Sequence, residues 1–133
     1  MKKLLSALLV TFAVVGSVYA ESNHRVSASA VTAKVSESAT ASVRVEPQGG
    51  YKINEEFPAK LTLTAPQGVT LEKAKLTKGD AAQLDKSALV FNVKLTATEA
   101  GKKTVTGELR FAVCKETECV PMTQAVSIQV DAK

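Results

Sequence analysis

At 133 residues the chain has room for one domain, and one is expected. Its formal charge of +4 is scattered, with no basic block and no basic-aromatic interleaving, which argues against a nucleic-acid surface. One histidine and two cysteines supply too few side chains for a Ser-His-Asp or Cys-His catalytic set or a tetrahedral zinc site, so neither metal nor cofactor is expected.

The first twenty residues read as a signal peptide. Lys2 and Lys3 form a positive start, residues 4–15 form an apolar run too short for a comfortable membrane span, and small residues lead to cleavage after Ala20. The expected location is therefore periplasmic or secreted, with no membrane span in the mature chain. No cysteine stands directly after the cleavage point, so a lipid-modified terminus is not expected. Without Lys2 and Lys3 the chain keeps 15 basic against 13 acidic residues. Residues 21–30 are small and polar and are expected to be a flexible segment, with His24 a solvated tail side chain. A terminal Ser-Asn-His copper or nickel chelate would require cleavage one residue later.

From residue 31 to residue 133 the pattern has a period of two, which belongs to strands. Apolar and small residues fill most odd positions from Val31 to Val45, and the even positions are polar; the break at Ser36-Glu37-Ser38 predicts two strands. Pro47-Gln48-Gly49-Gly50 is a turn signal. Tyr51 to Asn54 reads as a short extended piece, closed by Pro58. Lys60 to Ala65 is a strand, Pro66-Gln67-Gly68 a turn, and Val69 to Leu76 a weaker strand. Lys78-Gly79-Asp80 turns the chain again, and Leu84 to Ser87 is ambiguous. Leu89, Phe91, Val93 and Leu95 share one strand face. Val105 to Val113 and Val126 to Val130 give the last two. Seven or eight short strands with regular turns predict an all-β domain, an immunoglobulin-like β-sandwich over residues 31–133.

The two cysteines fall where those final strands meet. Setting Cys114 opposite Cys119 makes paired positions sum to 233, and this register aligns Val113 with Val120, Phe111 with Met122, and Val105 with Ile128. A slip of one residue would destroy that agreement. Four residues, Lys115 to Glu118, would form the turn, and Pro121 could force a bulge. By parity both sulfurs point away from the core. Facing cross-strand cysteines are within disulfide reach, and export to an oxidising compartment permits the bond.

Two functions remain open on the residues alone. The bond could be a structural staple, although closing so short a loop is worth only about 2 kcal/mol. It could instead be a redox centre, since a disulfide off the core is open to a partner thiol. Glu116 and Glu118 outnumber Lys115 beside the cysteines, which would raise a thiol pKa and so favours a relay driven by a stronger partner.

The run from Gly107 to Pro121, with Tyr51-Lys-Ile-Asn-Glu-Glu-Phe-Pro58, resembles the periplasmic N-terminal domain of the thiol:disulfide interchange protein DsbD and its stand-alone relatives. The resemblance implies an immunoglobulin-like fold and a role in thiol–disulfide exchange. Cys114 and Cys119 would be the exchanging pair, with Cys119 forming the mixed disulfide. The implied partners are a membrane thiol transporter and periplasmic thiol-disulfide oxidoreductases. Tyr51 and Phe57 stand where the family's shielding aromatic could come from. The cysteine spacing is one residue shorter than in the best-known members. The other class of function is a non-catalytic envelope binding module with a purely structural disulfide.

Overall fold

The structure is a computed structural model and describes residues 23–133. The signal peptide expected over residues 1–20 lies outside the described residues. Alternation of apolar and polar side chains builds two sheets that bury their apolar faces against each other.

The strands in chain order are β1 (His24–Ala28), β2 (Val31–Ala33), β3 (Ser38–Pro47), β4 (Lys52–Ile53), β5 (Lys60–Thr64), β6 (Val69–Leu71), β7 (Lys75–Thr77), β8 (Gln83–Leu84), β9 (Leu89–Ala97), β10 (Gly101–Lys115) and β11 (Glu118–Ala132). One sheet has the order β1-β3-β9-β6, with β8 also on β9; the other has the order β2-β11-β10-β5-β7, with β4 also on β10. The sandwich predicted from sequence is present, with more strands than expected because several pieces are only two or three residues long.

Three elements differ from expectation. Residues 21–30 were expected to be flexible, yet His24–Ala28 pair antiparallel with Val43–Pro47. Val26 and Ala28 pack against the core, and the His24 ring meets Phe111 edge-on at 5.2 Å. His24 Nε2 lies 3.1 Å from Gln124 Oε1, so this side chain is docked rather than a solvated tail. The single strand expected over Val69 to Leu76 divides. β6 joins β9 in one sheet, and after a short crossing β7 joins β5 in the other. The ambiguous stretch around Leu84 is a two-residue strand followed by a turn. There the Asp85 carboxylate accepts from the backbone N–H groups of Ser87 and Ala88.

The core is aliphatic, with Phe91 and Phe111 as its largest buried side chains. No polar or charged residue is buried among the described residues. Hydrophobic burial therefore carries the fold with little competition from desolvated polar groups. β10 is central to its sheet. β11 lines one edge for its full length, while β5 and β4 share the other edge in succession.

Candidate functional site

The candidate site is the closed end of the β10–β11 hairpin. Pairing runs without interruption from Gly101 opposite Ala132 to Lys115 opposite Glu118, in the register read from the sequence. The turn is tighter than the four residues expected: Lys115 and Glu118 still pair, leaving Glu116 and Thr117 to reverse the chain, with Glu116 at φ 46°. Pro121 forces no bulge and sits opposite Ala112. Facing residues alternate between hydrogen-bonded and non-hydrogen-bonded pairs, and the close Cα approach of Cys114 and Cys119, 4.0 Å, marks them as non-hydrogen-bonded. Two residues further on, Pro121 is non-hydrogen-bonded too, so its missing N–H costs the ladder nothing.

Cys114 and Cys119 are joined, with Sγ–Sγ at 2.07 Å. Parity puts Phe111 and Val113 on the buried face and the cystine on the outer face, with Cys114 half-buried and Cys119 exposed.

On the other side of β10 lies β4, which pairs Lys52 with Cys114 and Ile53 with Val113. This short strand is tied in from both sides: Asn54 N–H donates to the Ala112 carbonyl at 2.9 Å, and Ile53 N–H to the Lys86 carbonyl at 3.0 Å. The result is an open cleft of about 390 Å³ against Cys114, walled by Lys52, Asn54, Glu55, Glu56, Lys86 and Glu116.

The two candidate shielding aromatics occupy different places. Tyr51 stands at the hairpin tip, where its hydroxyl donates to Glu118 at 3.4 Å and its ring lies 5.6 Å below Lys115 Nζ. Desolvation first, then the Glu118 charge and hydrogen bond, raise the phenol pKa, so it is a neutral donor. Phe57 is half-buried in the turn beyond β4 and is not among the side chains walling the cleft.

The charges next to the cysteines in the chain are not the only ones next to them in space. Lys52 and Lys86 come to Cys114 through pairing and a backbone hydrogen bond across long separations. The only sequence trace of this was the short extended reading of Tyr51 to Asn54. Among the described residues no group of His, Cys, Asp and Glu is arranged to hold a metal ion.

The fold and the site together define a β-sandwich that presents a cystine to solvent at a hairpin end. The family described as thiol:disulfide interchange protein DsbD, N-terminal, matches residues 22–130, and the chain belongs to that family. No curated protein sequence matches the chain. Among solved structures, domains 4 and 5 of the S-layer protein SbsC are similar at 16% identity and TM-score 0.44, over 84% of this chain and 51% of that one. The chain thus spans about half the length of that structure. AggA, the major subunit of aggregative adherence fimbriae type I from Escherichia coli, is similar at 12% identity and TM-score 0.41, over 86% of this chain and 99% of that one. PapD-like domain 7 of human CEP192 is similar at 9% identity and TM-score 0.40, over 99% and 98%. Likenesses this distant bear on neither activity nor partner.

Proposed function

We propose that this chain is a periplasmic electron relay that exchanges its Cys114–Cys119 disulfide with partner proteins. The reading is carried by one observation: the cystine lies on the outer face at a hairpin end, with Cys119 the more exposed residue of the two. Exchange requires in-line access of a thiolate to a disulfide sulfur, and a core bond would deny it. Membership of the family supports the same chemistry.

In the reductive half, a partner thiolate attacks Cys119 Sγ. The Cys114–Cys119 bond breaks, its electron pair stays on Cys114 Sγ, and a mixed disulfide joins Cys119 to the partner. The partner's second thiolate then attacks its own sulfur in that bond and leaves with its disulfide closed. The relay holds two thiols and two more electrons. The reverse sequence delivers the electrons to an oxidised acceptor. A membrane thiol transporter fits as donor and a periplasmic thiol-disulfide oxidoreductase as acceptor. No cofactor enters either half.

The test is the reduction potential of the pair, together with trapping through Cys119 in a Cys114→Ala variant. A potential within about −120 to −270 mV, the range of exchange proteins, with trapped oxidoreductases, is expected. A potential below about −300 mV with nothing trapped would overturn the relay and leave a binding module with a structural disulfide.

A further inference from the structure

We infer that Lys52 is the charge partner of the Cys114 sulfur, favouring its thiolate over the thiol whenever the disulfide opens. The inference rests on the exchange reading for its use but is measurable without it. β4 pairs Lys52 directly with Cys114. Laterally paired residues project from the same face with Cβ atoms about 5 Å apart, so the lysine stem starts alongside the sulfur. Both residues line the same cleft. The ion pairs Arg44–Glu46, Lys73–Asp80 and Lys103–Glu99 do not engage Lys52.

The other charged groups around Cys114 are Lys86, Glu55, Glu56 and Glu116. Lys86 reinforces Lys52. Glu55 and Glu56 sit in the turn beyond β4, where their backbone carbonyls accept from Lys78 Nζ at 3.4 and 3.5 Å. Glu116 belongs to the hairpin turn rather than to the strand facing Cys114. Glu118, across the tip, is engaged by Tyr51. The group laterally paired with the sulfur is thus a cation.

This position suits a leaving group. When a partner thiolate bonds to Cys119 Sγ, the electron pair of the broken bond goes to Cys114 Sγ, and the new negative charge forms beside the ammonium. A thiol of lower pKa leaves faster. In reverse, the Cys114 thiolate that the ammonium favours attacks Cys119 Sγ in the mixed disulfide, re-forms the intramolecular bond and expels the partner thiolate.

The experiment uses the full chain with Cys119→Ala, which leaves Cys114 as the single thiol, and follows the rate of alkylation by iodoacetamide against pH. Adding Lys52→Gln should raise the apparent pKa by about half a unit and lower the thiolate fraction near pH 7 roughly threefold. Lys52→Arg should keep the parent value, and 1 M salt should shrink the Gln effect. An unchanged titration in Lys52→Gln, or a larger shift in Lys86→Gln, would overturn the assignment. Failure to trap a partner through Cys119 while the Lys52 shift persists would count against exchange and leave the charge pairing standing.

Discussion

Reducing the disulfide should leave the domain folded, because the bond links residues that the fold already holds together. Cys114 and Cys119 are five positions apart and face each other at the end of a ladder that runs the full length of β10 and β11. The large buried side chains, Phe91, Phe111, Leu89, Leu109 and Ile128, lie on the opposite face from the sulfurs or in the other sheet. Opening the bond therefore creates no cavity and leaves no buried polar group unpaired. What is lost is closure of a very short loop, about 2 kcal/mol in the chain-entropy model. For a domain of this size that corresponds to a fall in Tm of about 10 °C. Thermal unfolding followed by circular dichroism, with and without a phosphine reductant and in a Cys114→Ala/Cys119→Ala variant, reads it directly. Loss of the β-sheet signal on reduction at 25 °C, or a fall in Tm beyond about 20 °C, would refute the reasoning. It would also mean the bond is a staple the fold cannot spare.

Gly107→Ala should cost about 1–3 kcal/mol, measured by urea unfolding, because the added Cβ would stand 2.5 Å from the Thr62 carbonyl oxygen and 2.9 Å from Leu63 Cδ2, forcing β5 away from β10. Hydrogen bonds from Ser87 and Gln83 hold the Asp85 carboxyl down to about 2, so its support for the β8–β9 turn is complete above about pH 4 and lost as the pH falls through about 2. The urea midpoints of the parent and Asp85→Ala should accordingly differ at pH 7 and converge near pH 2. Amides that bond across the β1–β3 pairing should exchange with solvent far more slowly than those of the turn at Gly49-Gly50; equal rates would mean that β1 is frayed in solution.

The hairpin was legible in the sequence because both its strands carry long alternating faces, and one sum of positions satisfies them all. Its turn was less legible. Lys115 and Glu118 are polar whether they extend the ladder or leave it, so hydrophobic pattern could not decide between four turn residues and two. β1 was missed for a related reason: His24-Arg-Val-Ser-Ala offers only Val26 and Ala28 as apolar positions, and pairing with β3 supplies what its own pattern lacks. The division of Val69 to Leu76 between two sheets has no signal in periodicity, since each half alternates whichever sheet it joins. The cystine was placed correctly on the outer face by parity alone. Its electrostatic surroundings were not, because Lys52 reaches Cys114 through a two-residue strand whose partner is set by the fold.

Pro121 has a consequence for how anything reaches the cystine. Residues 118–129 of β11 pair only with β10 among the described residues, and the outward-pointing backbone groups on that open edge come from alternate residues, Cys119, Pro121 and Thr123 in order. The middle one offers no N–H. A visiting strand that tried to zip onto this rim would find a gap in its hydrogen bonds two residues from the disulfide. Sheet extension is thereby discouraged where it would smother the sulfurs. The flat face of the hairpin, with the Lys52 cleft beside it, carries no such gap.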